Sequence, residues 1–353
     1  MQTVINVSGT PYEQGVQEGR QLKPIIEKNV ALVKEKMVTD HMDTDRYREF
    51  VKRNLGFMER CHQDIYEEMK GIAEGSGISF EDIVYLNIPA YFMKEYFNQE
   101  CSMLMVRGKA TCDGNTYVIK NRDMSTYIEQ AVIRREYPDG LKMVEINGAG
   151  TVTYPACGMN SYGLGVTNTG FWSSKAPSDV DRVDAAHIFL NAHILLAECK
   201  SAKEALEKLK ETPRMNGLNV IIVDTKDAYC VEMTKNDVYV QEDDGSGVLF
   251  RSNHYISDKF KDLNPDPSQY TSTFKRYERI KEMVNERYGK IRFQDLFRIM
   301  SDHKNGVNSI CRHPREGYPA QTVSTSMFVL EDCEAWATIG NPCENLRFAS
   351  IKE

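Results

Sequence analysis

The order of helical and strand-like segments predicts an α+β fold in which mainly antiparallel sheets pack with helices outside them. Residues 10 to about 100 have helical periodicity, whereas short β-rich runs begin at Cys101. A second helical block, more strands, a third helical block and two late strands follow. Strands and helices do not alternate regularly, so a parallel βαβ arrangement is not expected.

The first predicted helix begins just after Thr10. The stretch TPYE supplies Thr10 as the N-cap, Pro11 at the first helical position and Glu13 where a capping box needs its carboxylate. Apolar residues then recur at helical spacing, which predicts one buried face. These residues are Leu22, Ile25, Ile26, Val30, Val33 and Met37. Further helices are expected over 47–73 and, after the cap-like SFED at Ser79, over part of 83–96.

Four short β-rich runs follow, separated by DGN and PDG turns, and this pattern is typical of consecutive antiparallel strands. The runs are SMLMVRG, NTYVIK, AVIRREY and LKMVEING. Later strands are expected at NVIIVD, AYCVEM, DVYVQ, GVLF, STSMFVL and EAWATIG. Helices are expected over 183–198, 201–210, 273–288 and 293–302, the second of them capped by SAKE. The glycine-rich GLGVTNTG opens no helix after a strand, so it is a weak phosphate-loop candidate.

Composition and charge exclude several function classes. The 353 residues, 41% hydrophobic and 27% charged, can bury a substantial core as one large domain or two smaller ones. The net charge of −7 arises from acids interspersed with lysines and arginines, so no basic face for nucleic acid is expected. The first residues lack the order of a signal peptide and no run of 18 apolar residues occurs, so neither secretion by that route nor a membrane span is expected.

Cysteine usage favours reduced thiols in a cytoplasm. The nine cysteines include no CxxC pair and no metal-like spacing with histidine, so neither a disulfide framework nor a metal centre is expected. A thiol in mid-chain is usually inert filling. Cys101 has a different context, because it follows Glu100 and precedes a predicted buried strand.

A cut before Cys101 would change its chemistry. The freed α-amino group would have an unperturbed pKa of about 7.7–8.0, against about 8.5 for the thiol. The amine could then take the thiol proton, so that nucleophile and base belong to one residue. Such a residue needs partners further along the chain that stabilise a tetrahedral oxyanion.

Six short motifs occur in the order found in the acyl-coenzyme A:6-aminopenicillanic acid acyltransferase family of autoproteolytic proteins. They are GTPYEQGVQEG, ECS, GNTYVIKNRDM, GMNSYGLGVTN, RSNHY and SICRHPREG. The sequence resembles this family over nearly its whole length. The resemblance implies a four-layer αββα N-terminal-nucleophile (Ntn) hydrolase fold with two stacked, mainly antiparallel sheets. Choloylglycine hydrolases are more distant relatives on the same fold.

The resemblance also implies self-cleavage between Glu100 and Cys101. The products would be a helical α chain of residues 1–100 and a β chain of residues 101–353 that carries the core, together one structural unit. Glu100 departs from the glycine that precedes the nucleophile in several relatives. Glycine adopts the strained backbone of self-cleavage most easily, so the rate of cleavage is left open.

The family motifs assign four catalytic residues. Cys101 falls on the nucleophile, and Asp123, in KNRDM, on the aspartate near its amino group. Asn253, in RSNHY, falls on the asparagine whose side-chain amide donates to the oxyanion. Arg312, in SICRHPREG, falls on an active-site arginine that can hold a carboxylate or orient the asparagine and aspartate.

Four further residues are weaker, substrate-side assignments. Lys120 stands where choloylglycine hydrolases carry a catalytic arginine, and Asn168 lies near an oxyanion-side asparagine of those relatives. His254 is given a structural or substrate-side role, because the N-terminal amine already supplies a base. Phe171 belongs to a set of aromatic residues that line either an acyl pocket or the core. The others in that set are Tyr91, Phe92, Phe97 and Trp172.

These expectations combine into an autoproteolytic N-terminal-cysteine amidohydrolase or acyltransferase that acts on linear amide or thioester carbonyls through an acyl-Cys101 intermediate. No metal or organic cofactor is expected. The expected partners are a small-molecule amide or acyl substrate and the two chains of one precursor, with a homo-oligomer left open. Two alternatives remain. One is an unprocessed family member that binds a small molecule, and the other is a cysteine hydrolase that uses Cys311 or Cys157 with a histidine.

Overall fold

The computed structural model describes residues 4–90, 93, 100–124, 128–153, 157–170, 173, 175–177, 190–268, 270–317, 320–344 and 349–350. Within these residues the helices are α1 (Pro11–Thr39), α2 (Asp45–Cys61), α3 (Gln63–Ser76), α4 (Phe80–Asn87), α5 (Leu190–Glu198), α6 (Ala202–Glu211), α7 (Thr271–Arg287) and α8 (Phe293–Met300). None of the described helices is long and apolar enough to cross a membrane.

The strands of the described residues form two sheets. They are β1 (Val4–Ser8), β2 (Glu100–Gly108), β3 (Gly114–Met124), β4 (Gln130–Glu136), β5 (Lys142–Gly148), β6 (Cys157–Asn160), β7 (Gly165–Gly170), β8 (Leu218–Val223), β9 (Ala228–Met233), β10 (Val238–Glu242), β11 (Val248–Arg251), β12 (Gln321–Val329), β13 (Glu334–Ile339) and β14 (Ala349–Ser350). One sheet has the order β1-β4-β5-β6-β7-β8-β9-β10, and the other has the order β11-β2-β3-β12-β13-β14. All pairings between these strands are antiparallel except that of β1 with β4, and one isolated parallel bridge joins Thr111 to Ile291.

Alternation along the strands assigns each side chain to a layer. In β2, Met103 and Met105 pack between the two sheets. Leu104 and Val106 point the other way and pack against α7 and α8. The outer face of the eight-stranded sheet shares a core with helices α1–α6. The order of layers is therefore helices, sheet, sheet, helices, and the expected four-layer α+β fold is confirmed.

Local signals at the helix starts are also confirmed. Thr10 caps α1, and the main-chain N–H of Thr10 donates to Glu13 Oε2 at 2.8 Å. The Ser79 hydroxyl caps α4 by accepting from the main-chain N–H of Asp82 at 3.1 Å. Ser201 caps α6, but the Glu204 carboxylate accepts from the main-chain N–H of Lys200, not from that of the cap residue.

Several elements differ from the sequence-based expectation. Strand β1 precedes the first helix, so the segment before Cys101 is not wholly helical. The helix expected over 47–73 is interrupted at His62, whose φ of −140° and ψ of 57° are not helical. Strands β6, β7 and β14 were not predicted. The glycine-rich GLGVTNTG contributes β7, which is buried on both faces between β6 and β8.

Candidate active site

Cys101 is the second residue of β2, which lies between β11 and β3 in the six-stranded sheet. Its side chain is buried and lies on the same strand face as Met103, towards the other sheet. The side chain of Glu100 points to the opposite face of the strand, towards α7. In the β2–β3 register Cys101 pairs with Arg122, and Glu100 pairs with Asp123.

Asn253, just after β11, binds the main chain of Cys101. The Cys101 N–H donates to Asn253 Oδ1 at 2.9 Å, and Asn253 Nδ2 donates to the Gly170 carbonyl at 2.5 Å. The Thr273 hydroxyl accepts from the main-chain N–H of Asn253 at 2.7 Å and so fixes this loop to α7. Because a side-chain amide nitrogen carries two N–H groups, the contact with Gly170 leaves one to meet an oxyanion.

Arg276 on α7 contacts both sides of the Glu100–Cys101 peptide bond. Its side chain is fully buried. The guanidinium donates to Glu100 Oε2 at 2.7 Å, to Asn253 Oδ1 at 2.8 Å and to the Cys101 carbonyl. It also donates to the hydroxyl of Ser102 at 2.8 Å. One side chain therefore contacts Cys101, the residue before it and Asn253.

The sequence analysis did not find Arg276, although a signal was present. Arg276 lies four residues after Ser272 and four before Ile280, on the buried face of α7. An arginine on a helix face that otherwise carries apolar and small residues is expected to be buried, and its charge then needs a buried partner. Glu100 is that partner, and it lies 176 residues away in the sequence.

Glu100 also pairs with the predicted Arg312. Arg312 Nη1 lies 2.6 Å from Glu100 Oε1, which makes a close ion pair. Ser272 donates to Glu100 Oε2 at 2.8 Å. Burial alone would raise the pKa of Glu100, but the charges of Arg276 and Arg312 hold it below its usual value. The carboxylate that Arg312 binds is thus the chain's own.

Asp123 lies on β3 beside this ion-pair group. Its Oδ1 accepts from the Thr322 hydroxyl at 2.7 Å, whereas Oδ2 has no hydrogen-bond partner among the described residues. Burial raises the pKa of Asp123 to about 6, against the lowering effect of Arg276 and Arg312. A buried carboxylate with one unused oxygen opposite Glu100 is suited to receive an ammonium group.

Lys120 and Asn168 lie together on the Cys101 side of the sheet. Lys120 Nζ donates to Asn168 Oδ1 at 3.2 Å, and this contact joins β3 to β7 across the two sheets. Both side chains are buried. Burial lowers the pKa of Lys120, and the thiols of Cys101 and Cys157 partly oppose that effect.

His254 contacts α7 through hydrogen bonds and ring packing. Its Nδ1 lies 2.8 Å from the Thr273 hydroxyl and 3.1 Å from that of Ser252, and its ring packs 4.3 Å from that of Phe274. Burial, together with the charges of Arg276 and Arg251, lowers the pKa of His254 to about 3, so the ring is neutral. Of the two roles expected for His254, structural or substrate-side, these contacts fit the structural role.

The predicted aromatic set lies outside the described residues. This applies to Phe171 and to its companions Tyr91, Phe92, Phe97 and Trp172.

The two alternative nucleophiles have different surroundings. Cys157 Sγ lies 2.5 Å from the Ser326 hydroxyl, and burial raises the pKa of this thiol to about 11. Cys311 does lie near a histidine, with Sγ 3.9 Å from His313 Nε2. A second thiol, that of Cys343, lies 3.6 Å from Cys311 Sγ.

Comparison with known proteins gives one family and one fold. The model of the acyl-coenzyme A:6-aminopenicillanic acid acyl-transferase family matches residues 110–344. Two variants of the conjugated bile acid hydrolase from Clostridium perfringens are similar in structure, each with 18% identity and a TM-score of 0.51 over 71% of this chain and 92% of theirs. A penicillin V acylase from Agrobacterium tumefaciens aligns with 16% identity and a TM-score of 0.49 over 71% and 86%. At these identities the similarity to the bile acid hydrolase concerns the fold alone.

Proposed function

The chain belongs to the acyl-coenzyme A:6-aminopenicillanic acid acyl-transferase family, and on that premise we propose that it is an N-terminal-cysteine amidohydrolase or acyltransferase activated by cleavage between Glu100 and Cys101. The observation that carries the proposal is the set of contacts around this one peptide bond. Asn253 holds the Cys101 N–H, Arg276 holds the Cys101 carbonyl, and Arg276 and Arg312 hold the Glu100 side chain. A backbone fixed on both sides of one bond favours intramolecular attack.

In the proposed cleavage the Cys101 thiolate adds to the Glu100 carbonyl carbon. The C–N bond breaks, the nitrogen receives a proton and a thioester forms. Breaking the C–N bond frees the α-amine of Cys101, and water then hydrolyses the thioester, which frees the thiol and leaves an α-carboxylate on Glu100. The products are residues 1–100 and 101–353. The two arginines restrict Glu100 before the cut, and this restraint supports cleavage where a relative would have glycine.

In the proposed cycle the new amine takes the thiol proton, and the thiolate attacks an acyl carbonyl of the substrate. Asn253 Oδ1 keeps the amine in place, Asp123 Oδ2 lies on the neighbouring strand, and the second N–H of the Asn253 side-chain amide donates to the oxyanion. Water or an acceptor amine releases the acyl group. Every proton moves among Cys101, substrate and water, so no cofactor is required. We propose a reducing cytoplasm as the location, because it keeps the thiol free.

Glu100 indicates a substrate class. The first acyl group carried by Cys101 would be a glutamyl group whose side chain binds Arg276 and Arg312. Once the first fragment's end moves away, two buried guanidinium groups would keep Asp123 nearby but lose the carboxylate that they both contact, which is costly. We therefore propose that preferred substrates carry a carboxylate on the acyl part, at the distance found in glutamate.

The test compares wild-type protein with Cys101→Ala. Wild-type protein should separate on a denaturing gel into two chains, and Edman sequencing of the larger should begin Cys-Ser-Met-Leu. Cys101→Ala should stay one chain and form no acyl-enzyme by intact mass, because the attacking atom is missing. Cys112→Ala, which changes an exposed thiol just beyond β2, should cleave like wild type.

Three results would overturn the proposal. An uncut chain that is fully active would exclude the N-terminal amine as the base. A different N-terminus would move the nucleophile. A single band on the denaturing gel and no acyl-enzyme after long incubation would favour the alternative of an unprocessed family member that binds a small molecule.

A further inference from the structure

His303, Cys311, His313 and Cys343 form a cluster outside the residues assigned to the active site. Each offers one ligand atom, and the four atoms all lie within 4.8 Å of one another. The two thiol sulfurs are 3.6 Å apart, and His313 Nε2 lies 3.2 Å from Cys343 Sγ and 3.9 Å from Cys311 Sγ. Zn–S bonds of about 2.3 Å and Zn–N bonds of about 2.0–2.1 Å give tetrahedral edges of about 3.8 Å for S–S and about 3.6 Å for S–N.

We propose that these four residues bind one zinc ion in a closed tetrahedral site. Two thiolates and two imidazoles are a donor set that zinc favours over harder cations. Four protein ligands leave no open position for water, which is typical of structural and not of catalytic zinc. Binding replaces the thiol protons of Cys311 and Cys343, so two protons leave as one Zn²⁺ enters and the charge of the cluster is unchanged.

The neighbouring side chains support the ligands from outside. His313 presents Nε2 to the thiols, and its Nδ1 lies 3.4 Å from Glu344 Oε1. A carboxylate on the second ring nitrogen fixes the tautomer that binds a metal and is a recurrent feature of zinc sites. Asn341 Nδ2 lies 3.4 Å from Cys311 Sγ, where its N–H would stabilise a thiolate.

The cluster is not recognisable from the spacing of its residues in the sequence. His303 follows α8, Cys311 and His313 precede β12, and Cys343 follows β13. The hairpin of β12 and β13 brings Cys343 back to the others. The pair Cys311 and His313 has one further ligand, His303, shortly before it and the other, Cys343, far along the chain, so the short CxxC-like spacing by which zinc sites are recognised is missing. The sequence-based expectation of no metal centre therefore overlooked a site formed by tertiary structure.

Two other chemistries compete for the same atoms. A Cys311–His313 nucleophile pair would use one thiol and one imidazole, and it would leave the convergence of Cys343 and His303 unexplained. A Cys311–Cys343 disulfide would need a bond of about 2.05 Å, whereas the sulfurs are 3.6 Å apart. Zinc alone uses all four ligand atoms.

Arg312 lies between two of the ligands. The main-chain N–H of Cys311 donates to the Asp302 carbonyl at 3.1 Å, and that of Arg312 donates to the Thr322 hydroxyl at 2.9 Å. Zinc would add a third anchor to the segment that holds Arg312 against Glu100. The zinc site itself does not depend on the proposed hydrolase function, and its test reads out metal, not turnover.

The first experiment measures zinc in the full-length protein by elemental mass spectrometry. Wild-type protein should carry about one zinc per chain, and Cys343→Ser should lose most of it. Cys61→Ser, which changes an exposed thiol at the end of α2, should keep it. Cobalt(II) in place of zinc should give thiolate-to-metal charge transfer and the visible bands of tetrahedral cobalt in wild type only.

A milder variant guards against misfolding. Glu344→Gln keeps all four ligands and should weaken zinc about 10–100-fold in competition with a chelator, since it weakens the support of His313. Wild-type protein that takes up neither zinc nor cobalt after reduction would overturn the proposal. So would equal metal binding by Cys343→Ser and wild type, or labelling of Cys311 by an acyl probe in a protein without metal affinity.

Discussion

Glu100 is held by two guanidinium groups, and the proposed preference for an acidic acyl group follows from the balance of these charges. Arg276 is fully buried and Arg312 nearly so, and both contact the Glu100 carboxylate. Removing one member of such a group leaves uncompensated buried charge and costs about 3–5 kcal/mol. The same contacts that order the uncut chain would therefore favour another carboxylate once Glu100 has left.

Arg312→Lys should distinguish recognition from ordering. A lysine keeps the charge but cannot reproduce the two-pronged geometry of a guanidinium. We expect KM for glutamyl amides to rise about tenfold or more, a loss of about 1.4 kcal/mol, with little change for neutral acyl amides. The control is Arg107→Lys. Arg107 lies on β2, as Cys101 does, and forms an ion pair with Asp243, and its replacement should change the KM of neither kind of substrate. An equal loss on neutral amides would mean that Arg312 orders the catalytic groups.

At this scale, short motifs predicted much of the candidate site. Cys101, Asp123, Asn253 and Arg312 each lie in a local sequence pattern, and the structure brings all four to the region around Glu100. Arg276 was missed because its partners become visible only when α7 packs against β2. The zinc ligands were missed for the same reason, since a hairpin and not a motif gathers them.

At the scale of elements, α1 and α3 are in close backbone contact. A Cβ atom added at Gly15 would lie 2.2 Å from the Glu68 carbonyl oxygen, and one at Gly71 would lie 2.2 Å from that of Tyr12. Neither neighbour is a side chain that can swing away. The contact fixes α1 and α3 closely against each other within the helical layer.

Gly15→Ala should therefore lower the free energy of unfolding. Forcing extra atoms into a tightly packed contact typically costs about 1–3 kcal/mol, although alanine favours the helix itself. The matched control is Gly56→Ala on α2, where the nearest atom is the flexible end of Arg60 at 3.2 Å. That variant should be as stable as wild type or more so. Urea unfolding measures both, and equal midpoints would show that the α1–α3 contact relaxes freely.

Caps and apolar stripes predicted the helices well because those signals are local. Thr10, Ser79 and Ser201 each begin a helix as expected. Strand β6 was not predicted because CGMN contains no β-branched residue. Strand β7 was not predicted because GVTNTG, although it contains Val166, Thr167 and Thr169, begins and ends with glycine and shows no alternation of apolar and polar residues. Both strands are buried throughout. Their strand conformation depends on pairing with β5 and β8, which is tertiary information.

At the scale of the whole molecule, residues 4–90 are joined to the later sheets by many contacts. Strand β1 pairs with β4, and the Asn87 side chain bonds with the main chain of Gly150 and Val152. Asn29 bonds in the same way with Glu129. A cut after Glu100 breaks none of these contacts, so the two fragments should elute together in gel filtration.

A buried charge group lies at the same junction. Arg135 on β4 contacts Glu18 and Glu68 from the helical layer and Glu145 on β5. Glu145 is also 2.9 Å from His193 Nδ1. Burial raises the pKa of Glu18 to about 7, although Arg135 opposes the effect. Burial alone would lower the pKa of His193, but the charge of Glu145 outweighs that effect and raises it.

These shifts predict how pH changes the association of the cleaved fragments. A pKa raised in the assembled state means that this state binds more protons than the separated one, so the stability that Glu18 contributes is fully present below about pH 4.5 and is lost as pH rises through about 7. The cleaved wild-type pair should therefore need less urea to separate at about pH 8 than at about pH 5.5. Glu18→Gln keeps an acceptor for the Gly150 N–H but cannot titrate, so it should reduce this difference. If Glu18→Gln leaves the difference in urea concentration between the two pH values unchanged, the pH effect belongs to His193 or Asp123. If the fragments separate without urea, the contacts with the later sheets do not hold the helical layer.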